Sequence, residues 1–235
     1  MTKEDLILNN PLRALGLGGK ADEKNQGMGL VMARAGLGKT AILVQIALDF
    51  MMRGEKVLHV SIGETVEKAR SWYDDIFSLT TAEMNDQERV DIEPEVMRNR
   101  MIMTFKESAF SIATLQERLD DLVKQDVYTP RCLIVDGYDF KDGGRGVMQE
   151  FATLMEKKGL GMVWFSAVSH RGDSRVSQSG VPAPCHEIDD MFSTVLYINP
   201  LEEGIRLDII KCAACEIDAN AKLAFDPSTM LIKKA

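Results

Sequence analysis

The sequence predicts an α/β domain with a mostly parallel central sheet, and three observations support this prediction. Five short apolar runs lack polar alternation, which is typical of parallel strands that are buried on both faces. Stretches with apolar residues at spacings of three and four lie between these runs and indicate amphipathic helices, which should cover both faces of the sheet. The last part of the chain contains short strand-like segments without a long helical stripe, so we expect antiparallel strands at the C-terminal edge.

The predicted elements follow one another in a regular order. The predicted strands are 28–33, 56–62, 101–105, 131–136 and 161–166. The predicted helices are 41–52, 66–77, 112–122 and 147–155. The first helix is apolar on nearly every side, which indicates burial in the protein interior, and Gly54 is a stop signal directly after it. Residues 79–100 are polar and rich in acids, and Pro94 argues against a long helix there.

The whole chain, residues 1–235, is predicted to form a single domain, because no linker or shift in composition divides it. Residues 1–20 are an N-terminal extension that precedes the first strand. Residues 171–187 are polar and contain Gly, Ser and Pro, and they are predicted to form a mobile loop.

Composition and charge restrict the possible functions. The chain has 28 Lys and Arg against 36 Asp and Glu, which gives a net charge of -8 and argues against binding nucleic acid through bulk charge. Four cysteines do not make a disulfide framework and favour a reducing compartment. The N-terminus lacks a signal-peptide core, and no run approaches the roughly 18 apolar residues of a membrane span. We therefore expect a cytoplasmic protein with no membrane partner.

The most informative segment joins the first predicted strand to the first predicted helix. It reads Ala33-Arg34-Ala35-Gly36-Leu37-Gly38-Lys39-Thr40. In a phosphate-binding loop, backbone N–H groups point at phosphate oxygens, and glycine permits the positive φ angles that this needs. Lys39 would reach the β- and γ-phosphates, and the Thr40 hydroxyl would ligate Mg²⁺. The predicted nucleotide-binding residues are Arg34, Ala35, Gly36, Leu37, Gly38, Lys39, Thr40 and Ala41.

The alternative interpretation of this segment is a glycine-rich turn with an incidental Lys-Thr pair. Ala33 stands where the usual pattern has its first glycine, which weakens the match. Asp136, however, ends an apolar strand further along the chain, where a second acid should hold the Mg²⁺ shell. The two motifs together predict binding of a nucleoside triphosphate with Mg²⁺.

With these motifs in place, the chain resembles the RecA-like ATPases, and within them the ATPase cores of KaiC and of DnaB-type helicases. The likeness runs from Pro11 to the end of the chain. MGLVMARAGLGKTAILVQIALDFMMRGEKVLHVSIGET is similar to the family's strand, P-loop, helix and second strand, and RCLIVDG to its magnesium-side strand. GMVWFSAVSHR is similar to the sensor strand, and KLAFDPSTM to the C-terminal hairpin. The resemblance implies a RecA-like P-loop fold that binds ATP and Mg²⁺ and either acts on a protein partner or self-associates as a ring, filament or dimer.

The resemblance also implies catalytic and sensor residues. Glu64 matches the second carboxylate of a Glu-Glu pair in KaiC-like members and is the candidate general base, whereas Gly63 replaces the first carboxylate. The alternative is that Glu64 only complements the dipole of the next helix. Ser166 and His170 are candidate γ-phosphate sensors, with Ala167 in place of the glutamine of helicases.

A late strand in the helicase-type family donates a Lys-x-Arg finger to the nucleotide of the neighbouring subunit. Lys211 retains the lysine of this motif, but Ala213 replaces the arginine, and Arg206 is the alternative finger. Because an arginine finger contributes about 10³-fold or more in rate, the replacement predicts slow turnover.

The C-x-x-C motif of Cys212 and Cys215 has two interpretations. Two small buried residues are the simpler one. A zinc site completed by Cys185 and His186 is the alternative, because structural zinc takes four such ligands.

Three functions therefore compete. The first is an ATPase that couples its nucleotide state to a protein partner or oligomer, and the second is a nucleotide-binding regulatory or assembly module without hydrolysis. The third is a DNA-handling motor, for which Arg171 and Arg175 would lie in the loop. The acidic charge and the lack of aromatic stacking residues in that loop argue against the motor.

Overall fold

The computed structural model of the protein describes residues 1–15, 27–140, 144–201, 204–213, 215 and 223–234. The helices are α1 (Lys3–Asn9), α2 (Lys39–Met52), α3 (Val66–Thr80), α4 (Asp86–Met97), α5 (Ile112–Lys124) and α6 (Arg145–Lys158). The strands are β1 (Gly27–Ala33), β2 (Val57–Ile62), β3 (Arg100–Phe105), β4 (Cys132–Asp136), β5 (Met162–Val168), β6 (Thr194–Leu201), β7 (Gly204–Cys212), β8 (Leu223–Asp226) and β9 (Leu231–Lys234). Short 3₁₀ turns cover Pro11–Leu15, Glu107–Ala109 and Asp189–Met191.

The described strands form one nine-stranded sheet in the order β3-β2-β4-β5-β1-β6-β7-β8-β9. The pairs among β1 to β6 are parallel, and β7, β8 and β9 add antiparallel strands at the C-terminal edge. The predicted α/β class and mostly parallel sheet are confirmed, and β1 to β5 correspond to the five predicted strands. Strand β5 lies between β1 and β4, so it separates the two strands that end at the predicted phosphate loop and at Asp136.

Hydrophobic side chains on the two faces of the sheet form two cores. Helices α2, α3 and α4 pack on one face, and α5 and α6 pack on the other. Neighbouring residues of β5 show this division, because Trp164 lies in the first core and Phe165 in the second. Gly29 of β1 permits the close approach of Trp164, since a Cβ at this position would lie 2.4 Å from the indole ring. This tight contact fixes the packing of α2 over β1 and β5.

Helix α4 corrects one sequence-based expectation, because it continues through Pro94. Asn85 caps its N-terminus by accepting a hydrogen bond from the backbone N–H of Glu88 at 2.8 Å. Proline removes one backbone donor, yet the helix ends only three residues later, at Met97, so few bonds beyond Pro94 are at stake. The buried side chain of Val96 also anchors the last turn against the first core.

The described part of the N-terminal extension packs against α2. Leu6 and Leu12 are buried, and the Asp49 carboxylate of α2 accepts hydrogen bonds from Asn10 and Arg13. Arg53 of α2 pairs with the same carboxylate at 3.2 Å, so the buried charge of Asp49 is compensated. Residues 16–20 of the predicted extension lie outside the described residues.

The predicted mobile loop contains a small hairpin. Val176 and Pro182 form an antiparallel bridge, and the backbone N–H of Ala183 donates to the carbonyl of Arg175 at 2.9 Å. Val181 and Cys185 are buried and attach the base of this hairpin to the second core. Its mobility stays a prediction.

The C-terminal hairpin of β8 and β9 packs on helix α2 beside the predicted phosphate loop. The amide of Gln45 donates to the carbonyl of Met230 and accepts from the backbone N–H of Ile232, both at 2.8 Å. The ring of Phe225 in β8 lies against Gly38, the N-cap of α2. The last strands are therefore connected to the site described next.

Candidate functional site

The predicted phosphate loop lies between β1 and α2, at the carboxyl ends of the parallel strands. Gly36 and Gly38 adopt φ angles of +76° and +88°, which glycine reaches without the steric cost of a side chain. No side chain caps the N-terminus of α2, so its first backbone N–H groups remain available to an anion. The helix dipole also favours negative charge at this end. The backbone is thus arranged as an anion-binding site.

Lys39 lies half-buried at the start of α2. Its Nζ donates a hydrogen bond to the carbonyl of Arg34 at 3.3 Å, which holds the side chain over the loop. Burial lowers the pKa of Lys39, and the nearby Asp136 carboxylate opposes this shift only in part. An anion bound at the loop would favour the protonated amine again.

Asp136, the last residue of β4, contacts helix α2 and strand β5 through its two carboxylate oxygens. Thr40 Oγ1 donates to Oδ2 at 2.7 Å, although the two residues are 96 positions apart in the chain. Ser166 Oγ, on the intervening strand β5, donates to Oδ1 at 2.5 Å and accepts from the backbone N–H of Gly137 at 3.2 Å. The structure therefore brings together Lys39, Thr40, Asp136 and Ser166, which the sequence predicted separately.

The donor set at this point fits Mg²⁺. Magnesium prefers oxygen ligands and is bound through one or two protein groups plus substrate phosphates and waters, and Thr40 and Asp136 offer a hydroxyl and a carboxylate. Within the described residues, no group of three or more His, Cys, Asp or Glu side chains forms a metal site. A metal held here would consequently need a ligand such as a phosphate to complete its shell.

A cavity of about 530 Å³ adjoins Asp136 at the ends of β2, β4 and β5. Its lining includes Ser166 and His170, which were predicted as sensors, and also Glu107, Tyr138 and Asp139, which the sequence analysis did not single out. Glu107 follows an edge strand without any motif, so only the pairing of β3 with β2 shows that it reaches this site.

Glu64, the predicted general base, lies on the segment between β2 and α3. Its carboxylate pairs with Lys68 at 2.6 Å, and both side chains are more than half exposed. Thr65, not Glu64, caps α3 by accepting from the backbone N–H of Lys68 at 3.2 Å. Glu64 is not among the residues that line the cavity.

The predicted finger residues lie on β7 at different levels of the sheet. Arg206 pairs with Asn199, two residues beyond Tyr197, which is level with Met32 near the end of β1, so Arg206 lies at the end of the sheet that carries the phosphate loop. Cys212 pairs with Thr194, which is level with Gly29 near the start of β1, so Lys211 lies at the opposite end of the sheet. Its Nζ donates to the carbonyl of Asp189 at 3.0 Å. Arg206 forms an ion pair with Asp208 of its own strand. Contact of Lys211 with a nucleotide would have to involve a second subunit.

The cysteines differ from both predictions made for them. Cys212 and Cys215 form a disulfide with their Cα atoms 5.5 Å apart, which is within the usual range for such a bond. They are therefore neither free buried thiols nor zinc ligands in this structure. Cys185 is buried as a free thiol, burial raises its pKa, and His186 lies 3.7 Å from Glu187.

A buried histidine lies on the same face of the sheet as Asp136. His59 Nδ1 is 3.0 Å from the hydroxyl of Tyr73, and Arg100 lies over the Tyr73 ring. Burial is the main cause that lowers the pKa of His59 to about 4, and the charge of Arg100 adds to it while Asp136 opposes it. His59 is therefore neutral in the folded protein at neutral pH.

We expect this histidine to make folding stability depend on pH. The pKa of His59 is below that of an unfolded histidine, so the unfolded chain binds the proton more tightly. The free energy of unfolding should thus decrease as the pH falls from about 6.5 to about 4. Urea unfolding of the wild type and of His59→Gln across this range measures the effect. An equal slope in the two proteins would show that other groups cause the dependence.

Comparisons with known proteins assign neither a family nor a function to the chain. No protein-family model matches the chain, and a search of curated protein sequences found no match. Among the described residues, no helix combines the length and the apolar character that crossing a membrane requires.

Proposed function

We propose that the protein is an ATPase of RecA-like fold that binds ATP with Mg²⁺ and hydrolyses it slowly. The observation that carries this proposal is the 2.7 Å hydrogen bond between Thr40 and Asp136. These two residues were predicted from separate segments of the sequence as Mg²⁺ ligands of one site, and they lie within hydrogen-bond distance beside a loop with exposed backbone N–H groups. If the segment were only a glycine-rich turn with an incidental Lys-Thr pair, the hydrogen bond between Thr40 and Asp136 would have no explanation.

The residues of the site have distinct roles in this proposal. The backbone N–H groups of 34–38 and the Lys39 amine hold the β- and γ-phosphates. Thr40 and Asp136 hold Mg²⁺, which neutralises phosphate charge when it is bound. Ser166 keeps the Asp136 carboxylate oriented through its 2.5 Å hydrogen bond, a positioning role in place of the γ-phosphate contact expected from the resemblance.

Slow turnover follows from the residues that differ from the resembled family. Gly63 replaces one carboxylate, Ala167 replaces the sensor glutamine and Ala213 replaces the finger arginine. Lys211 lies far from the phosphate loop of its own chain, so it cannot act as a finger within one chain. Loss of such an arginine costs about 10³-fold or more in rate.

A nucleotide-binding regulatory or assembly module without hydrolysis is the second candidate. The ion pair between Glu64 and Lys68 favours it, because a paired and exposed carboxylate is poorly placed to activate water. In both candidates the nucleotide state acts on a protein partner or on self-association. The net charge of -8 supports this choice over a DNA-handling motor.

Nucleotide binding, turnover and assembly state can be measured on one preparation of the full chain. We expect ATP with Mg²⁺ to raise the melting temperature, because a ligand at 100 times its Kd adds about 2.7 kcal/mol of stability. Phosphate release should be slow but above background, and mass determination with and without ATP should show nucleotide-dependent association. A raised melting temperature without phosphate release would select the non-hydrolysing module. No response in either assay would overturn both candidates.

A further inference from the structure

Glu107 and Gly63 are neighbours at the carboxyl ends of β3 and β2. Gly63 has a φ angle of +85°, and a Cβ built on it would lie 3.0 Å from Glu107 Oε1. The Glu107 carboxylate thus occupies the space that a side chain at position 63 would enter. Gly63 is also the position at which the resembled family has its first carboxylate.

Strand pairing explains why Glu107 reaches this position. Ile62 of β2 pairs with Phe105 of β3 in parallel, and the backbone N–H of Gly63 donates to the carbonyl of Phe105 at 2.9 Å. The chain then turns into the short 3₁₀ turn Glu107–Ala109, which directs Glu107 towards β2. A neighbouring strand therefore supplies a carboxylate where β2 has only glycine.

The cavity beside Asp136 distinguishes Glu107 from Glu64. Glu107 lines this cavity together with Gly137 and Ser166, and both of these belong to the hydrogen-bond network of Asp136. Glu64 does not line it and is paired with Lys68. Glu107 is exposed like Glu64, but within the described part of the chain it has no ion-pair partner, so its carboxylate is available to a water molecule in the cavity.

We propose that Glu107, rather than Glu64, is the catalytic carboxylate that activates the attacking water. This inference rests on the proposed ATPase function. The water oxygen bonds to the γ-phosphorus while one water proton passes to the Glu107 carboxylate. The bond between the γ-phosphorus and the bridging oxygen breaks, and ADP leaves with the electron pair of that bond. Glu107 then releases the proton to solvent, which leaves ADP, phosphate and a regenerated carboxylate.

The matched variants Glu107→Gln and Glu64→Gln test this assignment on the full chain. A general base contributes roughly 10²- to 10⁴-fold, so Glu107→Gln should lower kcat by about 10²-fold or more. Its KM and its affinity for a fluorescent ATP analogue should stay within a few-fold of wild type, and ATP should remain bound without cleavage. Glu64→Gln should keep kcat within a few-fold. Wild-type kcat in Glu107→Gln, or a 10²-fold loss confined to Glu64→Gln, would overturn the inference.

Chemical rescue separates a catalytic role from a structural one. Glu107→Ala leaves space beside Gly63, and added formate should restore part of its turnover while sodium chloride at equal ionic strength should not. Rescue by chloride, or none by formate in a variant that still binds ATP, would contradict the assignment. If the wild type binds ATP but releases no phosphate, the proposed hydrolysis fails before Glu107 is tested. If the wild type hydrolyses ATP, the results with the variants test only the assignment of Glu107 as the general base.

Discussion

Replacing Lys39 by alanine is expected to abolish measurable phosphate release and to weaken ATP binding. Lys39 is the cation at the phosphate loop, and removal of one charge-stabilising group at a reacting centre costs about 10²- to 10³-fold in rate. Among the described residues, the hydrogen-bond partner of its amine is the Arg34 carbonyl at 3.3 Å. The measurement is kcat/KM for phosphate release together with the ATP-dependent rise in melting temperature.

The stability of the nucleotide-free protein shows whether a Lys39 variant is simply unfolded. Burial lowers the pKa of Lys39, so the folded protein without nucleotide disfavours the charged amine. Lys39→Met keeps the apolar stem and removes this penalty, and we expect it to be at least as stable as wild type without ATP. Lys124→Ala, at the exposed end of α5, is the matched control and should change neither property. If Lys39→Met binds ATP as tightly as the wild type does, the assignment of this segment as a phosphate-binding loop is contradicted.

Gly38→Ala should cause the largest loss of stability among substitutions in the loop. The φ angle of +88° strains any other residue by about 1–3 kcal/mol. The new Cβ would also lie 2.6 Å from Phe225 Cζ and 3.3 Å from Met230 Sδ, and overpacking of this kind costs about 1–3 kcal/mol. We therefore expect the free energy of unfolding to fall by about 2–6 kcal/mol in urea titrations, and ATP binding to weaken at the displaced loop.

Gly36 offers a matched control for this prediction. Its φ angle of +76° is similar, but no atom of the described residues outside the adjoining chain lies within 4 Å of a Cβ built there. Gly36→Ala should therefore show only the backbone cost, about 1–3 kcal/mol. In the Phe225→Ala background, Gly38→Ala should cost less than it does in the wild type, because the ring that the new Cβ meets is absent. Equal losses of unfolding free energy for the two glycine variants, unchanged in the Phe225→Ala background, would show that contact with the C-terminal hairpin adds nothing to the cost at Gly38.

The sequence was sufficient where local patterns carry the information. The apolar runs predicted β1 to β5 because a strand buried on both faces needs apolar side chains throughout. The glycines of the loop predicted its location because only glycine adopts those φ angles cheaply. Asp136 was predicted for a similar reason, since it follows an apolar strand directly. The Pro94 prediction was wrong because proline removes only one backbone donor and α4 ends three residues later, so little of the helix follows it.

Other features could not be predicted from local sequence patterns. The disulfide between Cys212 and Cys215 needs the backbone to turn directly after β7, and the spacing alone also allowed free thiols or a metal site. The packing of Phe225 against Gly38 joins residues far apart in sequence, and no pattern in either segment indicates it. Lys211 was predicted from a motif, but only the register of β7 shows that it lies at the other end of the sheet.

The sequence by itself determined the α/β class, the positions of the early strands along the chain and the glycine turn at Gly36 and Gly38, because periodicity and glycine conformation are local properties. Only the tertiary structure decided which carboxylates meet at the site. The strand order places β5 between β1 and β4 and pairs β3 with β2, and this brings Ser166 to Asp136 and Glu107 to Gly63. Strand order is set by how helices and strands bury apolar surface across the whole domain, and no short segment encodes it.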